Sequence, residues 1–527
     1  MSERAVRFFR NGAVLALSAL IMRTVSVAFG AYVTGKVGAE GMGLYSLIMS
    51  VYTFAVTFAT SGVQLAVTRL VAEALGRGDA VGARAALRAS LGYALLFGSV
   101  GSVVLFLTAP ALGTALLGDG RTVPALRLLS VALVPVALSS VFYGYFTAVR
   151  RPTRSAAVTM AEQGVRIVLT VLALGALLPS GLDYACLALV GGSAVAEILS
   201  ALFHGALYAF DVRRLRRAER GKPPVRALLH ITLPVALSSY VRSGLVSAEH
   251  MLIPRALSQG GASRDEAIAA YGTLSGMALP VALYPMAVLS AFAGLLVPEF
   301  AEGAAKGDGA GNRRLAERTY VLALWFGIGV GGIMAANATS LVSAVYGDPS
   351  AGIYLSLLSP LLPVMYLDHV TDVMLKGLGR QVYAMGVNIL DSLVSILLVV
   401  LLLPYLGAVG YALVILIAEV FNFGLSIAGL SSVLSFRFPY LCGVLLPLSA
   451  VMSAVTLVRL LPTGEGVGAL VLRLVLSALL YLAFLFAAVA LLHPKRKKAR
   501  RVPLDKTAAI GYNRCIIGPR SGERSPQ

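Results

Sequence analysis

The sequence predicts an all-α polytopic membrane protein of about fourteen transmembrane helices. These form two six-helix lobes related by a pseudo-two-fold axis along the membrane normal, plus two extra C-terminal helices. Three observations lead there. Hydrophobic residues make up 58% of the 527 and charged residues 13%, about half the roughly 25% of a soluble domain. Apolar runs of bilayer-crossing length follow one another with short polar breaks. The second set of runs repeats the first.

The chain opens on MSERAVRFFR, a basic start without a small-residue cleavage site, and runs into an apolar stretch too long for a signal peptide. The first helix is therefore expected to stay attached. Apolar runs bounded by charges, Gly or Pro place spans at 11–35, 42–66, 89–112, 126–148, 156–178 and 184–210. A second six follow at 227–253, 269–297, 316–345, 352–375, 382–404 and 407–430, and a final pair at 440–461 and 469–492. The expected domains are an N-terminal lobe at 1–210, a basic cytoplasmic linker at 211–226, a C-terminal lobe at 227–430, additional helices within 431–492, and a basic disordered tail at 493–527. Pro135, Pro234, Pro280, Pro285 and Pro363 fall inside spans, so kinks or breaks are expected there.

Charge sets the orientation. With fourteen spans, Lys and Arg divide about 34 to about 7 between the two sides, which puts both termini in the cytoplasm. A formal net charge of +19 is also what a nucleic-acid binder would carry, but the basic residues sit between apolar runs and in the tail, as membrane topology requires. Cys186, Cys442 and Cys515 show neither metal spacing nor a disulfide framework.

The duplication is legible residue by residue. At an offset of 229, Leu126, Leu128, Leu129 and Ser130 meet Leu355, Leu357, Leu358 and Ser359, Arg151 meets Arg380, Glu162 meets Asp391, and Gly78-Asp79 meets Gly307-Asp308. Further on, Ala196-Glu197 aligns with Ala418-Glu419. An even number of spans per half inserts both copies in the same orientation.

Charges inside the spans are the candidate functional groups, because an ionised side chain at mid-bilayer costs roughly 2.5 to 3.5 kcal/mol and should face protein or water. Arg23 on the first span and Arg242 on the seventh occupy matching positions 219 residues apart. They are candidate ligands of an anion in a central cavity, with buried pairing inside each lobe as the alternative. Glu162 and Arg166, four residues apart, form an expected intrahelical ion pair completed by Glu197. In the second half Asp391 and Glu419 are the equivalent acids, but Ser395 replaces the arginine. With Asn388 one turn away they make a candidate sodium or proton site, the alternative being pairing with a basic residue elsewhere. Glu249 is a candidate gate, facing an arginine of the opposite lobe. Asp368, Asp372 and Lys376 read as an exposed helix-end ladder. No other metal site is expected.

Three stretches carry a family resemblance: KVGAEGMGLYSL (36–47) with VTRLVAEALGRGD (67–79), GYFTAVRRPTRSAAVTMAEQGVRIV (144–168) and MALPVALYPMAVLSAFAGLLVPEFAE (277–302). Together they resemble the polysaccharide-export and stage V sporulation protein B branch of the multidrug, oligosaccharidyl-lipid and polysaccharide exporter superfamily. The resemblance implies a flippase that moves polyprenyl-diphosphate-linked saccharides across the bacterial cytoplasmic membrane. Lipid II flippases of that superfamily carry a further arginine later in the first helix, where this chain has Phe29. A lipid-linked glycan other than lipid II fits that difference.

Arginine suits a diphosphate because its planar fork stays ionised and matches phosphate oxygens. A flippase of this kind needs no covalent chemistry and no cofactor beyond sodium or protons as coupling ion. Its partners would be the lipid-linked substrate, membrane lipids and cell-wall synthesis enzymes, and it is expected to work as a monomer. A multidrug/cation antiporter would not need central arginines. An enzyme would want acidic or histidine clusters in a sizeable loop, which the sequence lacks. A non-transporting scaffold in envelope or spore-cortex assembly leaves the buried charges without a purpose.

Overall fold

The computed structural model describes residues 3–149, 151–211, 224–436, 440–462, 464 and 466–492, and every regular element among them is helical. Most of the basic linker (212–223) and the tail from 493 onward lie outside the described residues. In chain order the α-helices are α1 (Glu3–Thr60), α2 (Val63–Gly76), α3 (Ala80–Ala111), α4 (Thr122–Ala148), α5 (Pro152–Leu177), α6 (Leu182–Asp211), α7 (Val225–Gln259) and α8 (Arg264–Gly272). They continue as α9 (Leu279–Ala282), α10 (Met286–Ala305), α11 (Gly309–Tyr346), α12 (Gly352–Leu358), α13 (Leu362–Gly377), α14 (Gln381–Ser431), α15 (Leu446–Arg459) and α16 (Val467–Leu492).

Among the described residues, ten helices are long and apolar enough to span, or eleven if the bent pair Arg264–Ala282 and Met286–Ala293, 57° apart, is one span. Two of the ten are double. α1 turns at Gly38 (φ 71°, ψ −175°) and α14 at Gly407 (φ 62°, ψ −159°), backbone conformations open to glycine. α7 has the length of a span but carries serines and charges that lower its hydropathy. Each of the fourteen apolar runs thus has a helical counterpart. Breaks follow the prolines only in part. Pro285 and Pro363 stand at interruptions, whereas Pro135 and Pro234 lie inside α4 and α7. α11 departs from helical geometry at Asn337 without any proline (φ −123°, ψ 17°).

The repeat is visible in the turns. Gly78 (φ 73°) precedes Asp79, whose carboxylate accepts from the Gly82 amide, and Gly307 (φ 68°) precedes Asp308, which accepts from Gly311. Each pair caps the helix that follows, satisfying an amide left open at the helix start.

Packing divides the chain into two compact units, one of Met1–Tyr32, Met277–Asp391 and Val409–Gln527, the other of Val33–Gly276 and Ser392–Ala408. These do not coincide with the sequence halves expected at 1–210 and 227–430. The first helix packs with the second half, where the Thr24 and Tyr284 hydroxyls bond at 2.8 Å. α7 and α8 pack with the first half, and α8 crosses α1 so closely that a Cβ on Gly43 would lie 2.1 Å from the Ile268 carbonyl oxygen. The first unit's core gathers Phe300, Tyr320, Met374, Val451 and Tyr481. There the unrepeated pair α15–α16 docks on α11, because Gly329 and Gly332 leave room for Tyr481 and Val451. The second unit's core runs through Val63, Val67, Ala137, Val141 and Phe146. Cys186 is a buried free thiol.

Candidate functional site

In the second unit, α7 faces the part of α1 beyond Gly38, and both carry hydroxyls at helical spacing. Ser46, Ser50, Thr53, Thr57 and Ser61 line one wall of a cavity of about 600 Å³, and Ser239, Ser243 and Ser247 line the other. Residues three or four apart share a helix face, so each set forms a continuous polar stripe. The stripes bind each other: Ser243 donates to Thr57 Oγ1 (3.2 Å) and Ser247 to the Ser50 carbonyl (2.7 Å). Tyr240 adds a bond to the Phe58 carbonyl at 3.0 Å. Tyr271, bonded to His250 at 2.9 Å, lines the same space.

Arg242 lines this cavity, is exposed, and has no carboxylate within ion-pair distance among the described residues. A guanidinium beside neutral hydroxyls, with no acid among the described residues that line the cavity, offers charge to an anion and hydrogen bonds to a polyol. Arg23 belongs to the other unit. It is half-buried close to Tyr346, and its Nε–H is buried without a hydrogen-bond partner. Neither arginine is paired with an acid of its own unit among the described residues.

The first half's acids are brought together. Arg166 Nη2 bonds Glu162 Oε1 at 2.6 Å and lies 4.0 Å from Glu197 Oε1. Sequence reasoning missed Tyr52, whose hydroxyl donates to Glu197. In the second half, Asn388 turns its amide to the Ala384 carbonyl (2.7 Å). Glu419 lies within electrostatic reach of both Asp391 and Asp368. Asp368 therefore departs from the exposed ladder expected of it, accepting from Asn422 Nδ2 at 3.0 Å while Lys376 pairs with Asp372. No group of three His, Cys, Asp or Glu could hold a metal ion among the described residues. Glu249 accepts from Ser395 Oγ at 2.5 Å, so the residue standing where the first half has its arginine serves the candidate gate.

A second charged centre, at helix ends of the second unit, left no mark in the spacing of the sequence. Arg121 bonds Asp119 (2.7 Å) and Glu40 (2.8 Å) and lies within 4 Å of Asp183 (3.9 Å) and Asp265 (3.6 Å). Burial opposes ionisation of Asp119, but side-chain and backbone hydrogen bonds from Arg121, together with its charge, outweigh it and hold this carboxyl below its usual range. Nearby, Arg264 donates to the Leu117 carbonyl and Arg255 to that of Ala115.

A helical bundle of spans and broken spans, with a hydroxyl-lined cavity, defines a multi-pass membrane protein. The chain belongs to the polysaccharide biosynthesis protein family, which it matches over residues 8–304. It is similar to the stage V sporulation protein B of Bacillus subtilis (strain 168), 26% identical over 81% of this chain and 84% of that protein. Its fold is similar to that of lipid II flippase MurJ in an inward closed conformation (TM-score 0.69, 14% identity, 89% of this chain and 98% of that one). It is also similar to an inward-facing multidrug resistance MATE family transporter of the MOP superfamily (TM-score 0.62, 17% identity, 79% and 96%). The fold expected from the sequence, an all-α polytopic membrane protein, is thereby shown.

Proposed function

We propose that this protein is a flippase for a polyprenyl-diphosphate-linked saccharide, a cell-wall or polysaccharide precursor, working by alternating access in the bacterial cytoplasmic membrane. The observation that carries this proposal is Arg242, an arginine without an acid partner among the described residues, beside two stripes of hydroxyls. Arg242 takes the diphosphate, and the serines and threonines take the sugar hydroxyls, each such bond contributing about 0.5 to 1.5 kcal/mol. Arg23, in the other unit, is a candidate anion ligand on the strength of its matching sequence position and its unpartnered Nε–H. No bond is made or broken, so no catalytic residue is required. Coupling to sodium or protons is assigned to the Asn388, Asp391 and Glu419 site expected from the sequence, with Asp368 within electrostatic reach of Glu419. The family match and the fold shared with a lipid II flippase support this function.

A multidrug/cation antiporter is the second reading, favoured by the multidrug transporter fold and the same acids. Lipid extraction from cells lacking the protein separates the two. Flippase function predicts accumulation of one polyprenyl-diphosphate saccharide on the cytoplasmic side, reversed by the wild-type chain. Unchanged lipid-linked pools with altered drug sensitivity would favour the antiporter.

A further inference from the structure

The cavity beside Arg242 is not uniform along its length. α7 and the part of α1 beyond Gly38 run antiparallel beside it: Ser243 meets Thr57 and, one turn later, Ser247 meets Ser50. Arg242 therefore lies toward the end marked by Ser61 and Ser239, and His250 toward the end marked by Tyr45 and Ser46. His250 is eight residues beyond Arg242 on α7, a rise of roughly 12 Å. Behind Arg242 the lining ends with Ser61 and Ser239, whereas ahead of it the space continues past Ser247 to His250, Tyr271 and Ser275. A group attached to an anion held at Arg242 thus has its room at the far end, toward α8.

Two rings shape that end. The Tyr271 side chain on α8 is buried, its hydroxyl bonds His250 Nδ1 at 2.9 Å, and the rings meet edge to face at 63° with centroids 5.9 Å apart. α8 is itself fixed. Ser263 and Glu266 form a capping box at its start, and at its end a Cβ on Gly272 would lie 2.0 Å from the Ala39 carbonyl oxygen of α1. Tyr271 therefore holds the imidazole from a rigid support. His250 is half-buried and lines the cavity, so with Nδ1 engaged its Nε2 is the ring atom left for a ligand.

A neutral imidazole and the hydroxyls of serine and tyrosine both donate and accept, as each hydroxyl of a sugar does. Among the described residues that line the cavity, Arg242 is the only arginine or lysine and none is Asp or Glu. A charged sugar at the far end would have no opposite charge beside it and would carry the cost of an ion inside the membrane.

We propose that His250, positioned by Tyr271, contacts the saccharide of the lipid-linked substrate at the far end of the Arg242 cavity, and that this saccharide is neutral. The proposal rests on the reading of Arg242 as the diphosphate ligand and gives the headgroup a direction, diphosphate at Arg242 and sugar toward α8. His250 then separates a glycan-bearing lipid from a bare one. Tyr271 is a positioning residue, acting through the ring it holds.

Native mass spectrometry of the purified full chain tests this with three probes: undecaprenyl diphosphate, the same lipid bearing one neutral hexose, and the same lipid bearing a hexuronate. Wild type should bind the hexose lipid about tenfold more tightly than the bare lipid, the gain of one or two hydrogen bonds. The hexuronate lipid should bind no more tightly than the bare one. His250→Phe, which keeps a ring without its nitrogens, should bring the hexose lipid down to the bare lipid, and His250→Gln should restore part of the margin. Tyr271→Phe should shrink the margin about threefold, and it decides the matter if His250→Phe does not fold. Arg242→Ala should weaken all three probes alike. Wild-type affinity of Arg242→Ala for the bare lipid would overturn the diphosphate reading, and this proposal with it. With Arg242→Ala weakened, this proposal alone is overturned by a wild type without a hexose margin, by a margin undiminished in His250→Phe or Tyr271→Phe, or by preference for the hexuronate.

Discussion

The Tyr52 hydroxyl, on α1 beyond its Gly38 turn, donates to the Glu197 carboxylate on α6, which in turn lies 4.0 Å from the Arg166 guanidinium. This bond ties a wall of the candidate cavity to the buried acids of the second unit. Tyr52→Phe leaves Glu197 short of a donor and should lower stability by about 1 to 3 kcal/mol, measured by denaturant unfolding in detergent. Arg166→Ala should cost more, about 3 kcal/mol, because it strands two acids rather than one hydrogen bond. A Tyr52→Phe protein as stable as the wild type would show that the bond contributes nothing.

Legibility in the sequence differs from residue to residue. The stretch at 36–47 carries a family resemblance without a chemistry of its own, yet four of its residues act locally in the fold. Gly38 turns the chain, Glu40 bonds Arg121, Gly43 lets α8 cross, and Tyr45 lines the cavity. Glu162 and Arg166 are readable because their contact is within one helix. Tyr52 with Glu197, and Asp368 with Asn422, join residues far apart in the chain, and spacing alone says nothing of such partners. The hydroxyl stripes are visible as Ser239, Ser243 and Ser247 at four-residue intervals, but serine is common in membrane helices and the pattern gains meaning only opposite its counterpart on α1. The grouping of the first helix with the second half of the chain is hidden too, since a repeat records ancestry rather than packing.

Acid should weaken the Arg121 centre. Asp119 is held below the ordinary carboxylate range when folded. Its contribution to stability is therefore fully present above the unfolded value, about 3.9, and is lost as pH falls through the lower folded one. Melting temperature measured from pH 7 down to pH 3 should fall at the acid end for the wild type, and less steeply for Asp119→Asn. Identical slopes for the two proteins would remove Asp119 from the account. Arg121→Ala should be destabilised at neutral pH and partly recover in acid, as the facing acids Glu40, Asp119, Asp183 and Asp265 lose their charge.

Orientation is open to cysteine labelling at glycines where a side chain meets nothing within 4 Å, in a background without native cysteines. Gly120 and Gly464 should react with an impermeant maleimide in intact cells, and Gly309 only after permeabilisation. The reverse pattern would invert the charge-based topology.

The central claim is that Arg242 grips the diphosphate of a lipid-linked saccharide, and the most direct test is the flipping rate of such a lipid in proteoliposomes by Arg242→Ala. The rate should fall by about 30-fold or more, corresponding to the roughly 2 kcal/mol or more lost with one partner of a charged contact, while the melting temperature stays that of the wild type. Arg242→Lys should recover part of the rate, because a point charge keeps the attraction but not the paired hydrogen bonds. A wild-type flipping rate in Arg242→Ala, or a loss that only follows a fall in melting temperature, would contradict the account.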